Sequence, residues 1–498
     1  MLKNKKPASV LETVALGYLF IPVVIFMLSW IKLWLSIPLA ILIAVVLCKI
    51  LLDKGTDSDQ KIMISSSFIV CSVICFLLIL LLSYFLGAGG FTDQPFDSIK
   101  HNFILSDLIE RPWPVRYELN GDKGVLCYYI AGYLVPALVG KITSSFDAAS
   151  AFSAFWHAIG IFIAILVFYS SLGNKRKPVH LLAVFAVIML FAPFNALMQF
   201  VYMIIYPDRT VTALHFQWIS EDINVQLSSN LTLLRYVFPQ FVPSLIVTAL
   251  LFRMRKRYDR WALIASPLLS FSVFAFFGIV ELMLILFLFD MIKDKNVKKS
   301  LRSILSLENI AGVVSASIFL LYLAGNILQP KPAGAENALK LVDYSELPLV
   351  LLLQEISWGL WLVFLFKTNK KEPLLWAVSL CLFIFPFFEF GHYNDLCIRG
   401  SMPALICLGF LLARELTDAL GSANKRLLPA AAILIALLLS GAFPAIEEMH
   451  LPENKSVFSQ QYYWDEYSNS LEFYTEYNWT RYQYIDWEEN DLCNFILR

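Results

Sequence analysis

Charge is what this chain has least of. Only 16% of its 498 residues are Asp, Glu, Lys or Arg, against 58% hydrophobic; a soluble globular chain carries about 25% charged residues. That deficit requires a polytopic membrane protein. Net charge is absent too. Lys+Arg 39 balance Asp+Glu 39, which removes the electrostatic case for a nucleic-acid partner. No CxxC or Cys/His metal spacing occurs. Of the 8 cysteines, Cys48, Cys71, Cys75, Cys381 and Cys407 lie in apolar runs and read as packing residues. Cys127, Cys397 and Cys493 could face the outside, with no spacing that assigns a disulfide. The amino-terminal run MLKNKKPASVLETVALGYLFIPVVIFMLSW is followed by no A-x-A-like site and reads as a retained signal anchor. Internal repeats and low-complexity segments are missing.

What is present is apolar runs of membrane-spanning length. A spanning helix needs roughly 20 apolar residues. Candidate spans are 13–30, 33–52, 62–87, 149–171, 179–204, 231–252, 261–276, 278–292, 308–329, 347–367, 374–390, 399–416 and 428–446, thirteen in all. The pair 261–276 and 278–292 is short, either a tight hairpin or one bent helix. Basic clusters set the orientation. Lys3, Lys5 and Lys6, then Lys175, Arg176 and Lys177, then Arg253 to Arg257, Lys293 to Lys299 and Lys367 to Lys371 all fall inside if 125–141 does not cross. Tyr128, Tyr129 and Tyr133 suit an interfacial helix there. The expectation is an all-α multi-pass protein of a cytoplasmic membrane: a hairpin at 1–61, a core at 62–446 with a large outer loop at 88–148, and a short outer tail at 447–498.

Four polar stretches fall on the outer side. In GGFTDQPFDSIKHN (89–102), Pro95 suits the first turn of a helix, with Asp93 or Gln94 as its cap. Asp97, Lys100 and His101 then share one face, with Asp107 near it. Asp97, beside a cation and an imidazole, is placed to act as a base. RPWPVRY (111–117) reads as a rigid extended segment, with Trp113 and Tyr117 either stacking on a sugar or anchoring at headgroups. The stretch 206–243 holds Arg209, Gln226, Asn230 and Arg235, with Ser229 or Asn230 as a possible cap. FPFFEFGHYNDLCIRGSMPAL (385–405) holds Glu389, His392, Asp395 and Arg399. A guanidinium there can fork onto phosphate oxygens or pair internally with Asp395 or Glu389. Glu281 is a further buried-carboxylate candidate, at the outer end of the short pair.

DSIKHNFILSDLIERPWPVRY, then LCYYIAGYLVPALVGKITSSFDAASAF, then a span ending at NKRK, and later QLSSNLTLLRYVFPQ and NDLCIRGSMPAL, together resemble membrane glycosyltransferases of the GT-C superfamily. The bacterial members near the protein O-mannosyltransferases and aminoarabinose transferases are the most similar. The resemblance covers roughly residues 62–446 and departs from the family twice. The acidic loop follows the third span, so 13–52 looks like an added hairpin. The adjacent Asp-Glu pair of the O-mannosyltransferases is replaced by Asp93 and Asp97. The resemblance implies a polyprenyl-phosphate-linked sugar donor and inverting transfer to a hydroxyl of a glycan, lipid or cell-envelope polymer on the outer face. It implies Asp97 as base, Lys100, Arg209 or Arg399 at the phosphate, and His101 at the donor or positioning Asp97. No cofactor is required, because cationic side chains can hold the phosphate; Asp93, Asp97 and His101 as ligands of a divalent metal stay open. The competing readings are a lipid-linked-saccharide transporter, which needs charges at mid-membrane, and a non-catalytic assembly factor.

Overall fold

The computed structural model describes residues 7–53, 62, 64–172, 176–209, 216–293, 297–329, 339–391, 393–421, 427–450, 460, 462, 467, 469–476, 478–487 and 495–498. The chain is an all-α bundle with minor strands. In order, its helices are α1 (Pro7–Trp30), α2 (Leu33–Leu52), α3 (Ser66–Phe85), α4 (Asp97–Glu110), α5 (Ala131–Thr143), α6 (Phe146–Ser170), α7 (His180–Leu190), α8 (Asn195–Ile205), α9 (Asn230–Tyr236) and α10 (Phe238–Arg253). There follow α11 (Trp261–Ala265), α12 (Val273–Lys293), α13 (Val297–Ile304), α14 (Leu307–Leu328), α15 (Pro348–Gly359), α16 (Leu362–Asn369), α17 (Pro373–Ile384), α18 (Met402–Gly421), α19 (Leu427–Glu448), α20 (Ser470–Thr475) and α21 (Asn478–Tyr484). Helix is the form that satisfies backbone polar groups without water.

Among the described residues, 9 helices are long and apolar enough to cross a membrane, or 10 if the bent pair α15–α16 counts as one. The chain is therefore a multi-pass membrane protein. Leu396–Gly421 is central, with 89% of its apolar window buried; Ser66–Phe85 is peripheral, at 22%.

Several expected spans are broken, and the breaks have local causes. The run 179–204 divides into α7 and α8 around Pro193, and 231–252 divides at Val237, ahead of Pro239. The run 347–367 bends by 54° between α15 and α16. The expected pair 261–276 and 278–292 is replaced by α11, a 3₁₀ turn at Ser266–Ser270 containing Pro267, and the single 21-residue α12. Ser272 starts α12 by accepting from the Ala275 amide at 3.3 Å. The run 125–141 does not form one helix. It supplies the end of a strand and the 13-residue α5, too short to cross a bilayer.

The hairpin α1–α2 is part of the core. Tyr18 stacks on Trp156 of α6 at 4.4 Å, and Phe26 packs on Phe319 of α14 at 4.5 Å. At one end of the bundle, arginines stitch helix ends together. Arg253 pairs with Glu12 at 3.0 Å, Arg257 with Asp53 at 3.1 Å and Arg255 with Asp290 at 3.2 Å. Arg260 pairs with Glu12 and Asp53, and Lys49 reaches Glu308 at 2.9 Å. This is the basic end.

The opposite, loop end carries the segment after α3 and the carboxy-terminal tail. The strands β1 (Arg116–Leu119) and β2 (Asp122–Leu126) form a hairpin, with Arg116 opposite Val125. Its two-residue turn is Asn120-Gly121, both at positive φ (53° and 93°), the primed turn that matches strand twist. RPWPVRY thus runs into a hairpin rather than an isolated extended segment. A second ladder joins β3 (Lys340–Leu341) to β4 (Phe388–Glu389). The tail strand β5 (Ile485–Asp486) extends the first sheet in the order β1-β2-β5. Gln329 Nε2 also donates to the Ile485 carbonyl at 2.9 Å, and the Arg498 amide to the Trp30 carbonyl at 2.9 Å.

Candidate functional site at the loop end

The site begins where α3 stops. Gly87 sits at φ 82°, and a Cβ there would meet the Asp93 carbonyl oxygen at 2.6 Å, so the turn requires glycine. Thr92 Oγ1 latches it by donating to the Tyr84 carbonyl at 2.7 Å. The chain then enters α4 at Asp97, in the first turn, where backbone N–H groups favour a carboxylate.

Asp93 is not the cap of α4. The cap position falls on Phe96, which supplies no side-chain hydrogen bond. Asp93 instead faces Arg235 Nη2 at 3.4 Å and His450 at 3.9 Å. The helix begins three residues later than a cap at Asp93 would need, and the charge of Arg235 holds the carboxylate elsewhere.

Asp97, Lys100 and His101 lie together as their spacing predicts. Lys100 Nζ is 3.5 Å from Asp97 Oδ2; the lysine side chain is 9% exposed and that of Asp97 40%. Burial pushes the Asp97 carboxyl up, but Lys100, His101 and Arg399 outweigh it and hold the group below the usual carboxylate range. Burial and the Arg399 charge hold Lys100 below its usual value, against the pull of Asp97. His101 Nε2 donates to the Tyr236 carbonyl at 2.8 Å, which leaves Nδ1 to accept from the Tyr133 hydroxyl at 2.5 Å. Burial and the Lys100 charge push His101 down to about 3. It is neutral at physiological pH and fixes the start of α4 against α5 and α9. A small cavity beside it is bordered by Gln94, Ser98, Asn102 and Ser153.

Arg399 arrives from the other side of the bundle. It lies in a π-helical turn, Leu396–Gly400, leading into α18; such turns recur at functional sites. Gly278 of α12 packs on the Gly400 carbonyl and has no room for a side chain. Arg399 Nη2 pairs with Asp395 at 3.2 Å, and Nη1 donates to the Tyr129 hydroxyl at 2.8 Å. Tyr128 donates to the same oxygen. Tyr128, Tyr129 and Tyr133 were expected at the interface as anchors, yet they are 3%, 8% and 4% exposed and turn inward onto Arg399 and His101. Burial raises the pKa of all three, so they are neutral donors.

Two further networks frame this cluster. Arg235 pairs with Glu448 at 3.5 Å and donates to its carbonyl at 2.8 Å, while Thr232 Oγ1 donates to the Glu448 carboxylate at 2.7 Å. Asp107 accepts from Tyr117 at 2.6 Å, Ser470 at 2.8 Å and Arg111 at 3.0 Å, tying α4 to the hairpin and tail.

The remaining sequence candidates separate into neighbours and outliers. Asp395 belongs to the site through Arg399. The Gln226 carbonyl accepts from Cys397 Sγ at 3.5 Å and Asn394 Nδ2 donates to the Asn224 carbonyl at 2.9 Å, so 224–226 borders the Arg399 turn. The Gln226 side chain itself bonds Ser228. Asn230 is structural: Nδ2 donates to the Ile188 carbonyl at 2.7 Å, and Ser229, not Asn230, is the cap of α9. Arg209 is not brought to Asp97; it pairs with Asp222 at 3.1 Å and Glu346 at 3.6 Å, because α8 ends away from α4 on its own loop. Glu281 sits inside α12 rather than at the outer end of a hairpin, because α12 is continuous. Glu389 lies in β4, opposite Lys340. His392 and Cys493 lie outside the described residues. Cys127 and Cys397 are buried and donate to the carbonyls of Tyr322 and Gln226, so neither faces the outside. Among the described residues, no group of three His, Cys, Asp or Glu side chains could hold a metal ion.

Sequence reasoning missed Tyr484, whose ring packs on Tyr128 at 5.0 Å, and Glu448, and gave the tyrosines after β2 the wrong role. Asn120-Gly121 was the available signal for the hairpin that aims those tyrosines inward. No protein-family model, curated protein or solved structure matches the chain.

Proposed function

We propose that the chain is an inverting glycosyltransferase of the GT-C type, using a polyprenyl-phosphate-linked sugar and a hydroxyl acceptor. One observation carries this reading: a carboxylate held ionised yet 40% exposed, with Lys100 beside it and Arg399 near it, at one end of a membrane bundle. Asp97 takes the proton of the acceptor hydroxyl as that oxygen attacks the anomeric carbon. The anomeric C–O bond to phosphate breaks, and the polyprenyl phosphate leaves with the electron pair, stabilised by Lys100 and Arg399. The lowered pKa keeps Asp97 in its basic form at neutral pH, at some loss of base strength. The tyrosine hydroxyls on Arg399 orient the guanidinium, and neutral His101 positions α4.

In this reading the loop end faces the outside of a bacterial cytoplasmic membrane, and the basic end faces the cytoplasm. Ion pairs at Glu12, Asp53, Arg253, Asp290 and Glu308 bring the start of α1, the ends of α2, α10 and α12 and the start of α14 to the same basic end. The test is release or transfer of labelled sugar from a polyprenyl-phosphate hexose by the purified protein. Asp97→Asn should abolish it with melting temperature unchanged; wild-type turnover in that variant removes Asp97 from the chemistry. Absence of donor binding by the native protein sinks the donor class.

A second reading, movement of a lipid-linked saccharide, draws on Glu281 within α12 and Glu355 within α15, carboxyls inside apolar helices. Flipping of the same lipid in proteoliposomes that survives Asp97→Asn but not Glu281→Gln favours it.

A further inference from the structure

A groove of about 820 Å³ opens at the basic end, far from Asp97, on the flank formed by α2 and the start of α14. One wall is apolar and lipid-facing: Ile41, Val45 and Leu52 are 58%, 50% and 66% exposed. Its base is charged. Lys49, in the last turn of α2, pairs with buried Glu308, and Arg257 bridges Asp53 and Asp259. We infer that this groove is a binding site for a phospholipid with a zwitterionic, primary-ammonium headgroup, drawn from the leaflet at the basic end.

The wall of α2 offers an acyl chain a bed at the depth of the hydrocarbon. Below it, Lys49 and Arg257 keep side chains that are 55% and 39% exposed at the mouth of the groove. They can donate to a lipid phosphate. The carboxylates of Asp53 and Asp259, whose side chains are 32% and 25% exposed, lie on the same base and can accept from an ammonium. Among the described residues that line it, cations and carboxylates balance: Lys49, Arg257 and Arg260 stand against Asp53, Asp259 and Glu308. An anionic headgroup would meet those carboxylates with no compensating cation of its own. A quaternary ammonium wants aromatic faces, and among the described residues no aromatic side chain lines this groove. A primary ammonium instead needs hydrogen-bond acceptors, which the groove has.

The experiment is native mass spectrometry of the detergent-purified full chain with dioleoyl phosphatidylethanolamine, phosphatidylcholine and phosphatidylglycerol. The ethanolamine lipid should be retained about tenfold more than either of the others, a preference worth roughly 1.4 kcal/mol. Ala44→Trp fills the exposed apolar wall without touching an ion pair and should abolish that preference. Lys49→Gln should reduce it severalfold. Equal retention of the three lipids, stronger retention of the glycerol lipid, or a preference unchanged by Ala44→Trp overturns the site. Ala44 is exposed on α2, so Ala44→Trp decides the matter even if Lys49→Gln destabilises the fold by leaving Glu308 buried.

Discussion

The two ends of the bundle use charge in opposite ways. At the basic end, Arg260, Asp290 and Glu308 are each 3% exposed by side chain, and their partners come from distant helices. Such pairs close a structure: the charges are already neutralised, and removing one partner strands the other in a medium that penalises it. At the loop end, the Arg399 side chain is 9% exposed but the nearby Asp97 is 40% exposed. A charge that is oriented by neighbours yet open on one side is what a substrate can reach. The difference separates ion pairs buried on both sides, which hold helices, from pairs with one exposed partner, such as Asp97 here and Lys49 at the groove, which frame a site.

The comparison breaks most sharply at Asp97. Asp97→Asn should lower sugar transfer by about 10²–10⁴-fold with little change in melting, measured by donor turnover beside a thermal scan. A stability loss without an activity loss would make this end structural like the other. The mirror experiment is Arg260→Met, which leaves Glu12 and Asp53 short of a partner. It should cost roughly 3–5 kcal/mol of stability, read from thermal unfolding, while turnover per folded molecule stays at wild type. Asp107→Ala removes the acceptor shared by Tyr117, Ser470 and Arg111 and should cost about 2 kcal/mol. Hydrogen exchange should then rise in 470–476 and 485–486 ahead of the core.

The smallest effect sharpens the role of His101. Its pKa in the fold is about 3, against an ordinary value of about 6.5. As pH falls below about 6.5, the unfolded chain takes up the proton and the folded one does not, so stability falls with pH until about 3. The slope reaches at most about 1.4 kcal/mol per pH unit for this one group. Thermal unfolding of His101→Gln across pH 4 to 7 should show a shallower slope than the native protein; an equal slope would mean that His101 is protonated in the fold.

Much of the loop-end cluster was legible from spacing. Asp97, Lys100 and His101 share a helix face because residues three and four apart must, and Arg399 and Asp395 sit one turn apart for the same reason. Asp93 was misread because a cap depends on where the helix actually starts, and Arg235, 142 residues away, competes for it. Arg209 was misplaced because a loop arginine pairs with whichever acid the fold brings near. Tyr128, Tyr129 and Tyr133 suit an interfacial helix because tyrosine is enriched at that depth, yet they turn inward. The hairpin at Asn120-Gly121 that reverses their aim carried its own signal.

Composition and hydrophobic run length alone determined that this chain is a helical multi-pass membrane protein, because unbroken apolar runs of roughly 20 residues satisfy their own backbone in an apolar medium as helices. Local periodicity determined which polar residues share a turn. Only the tertiary structure decided that Arg399 meets Tyr129 across 270 residues of sequence, that the tail closes over α4 through Asp107, and that α1 belongs to the core. Those contacts depend on how helices pack against one another, which is not written in any single stretch of sequence.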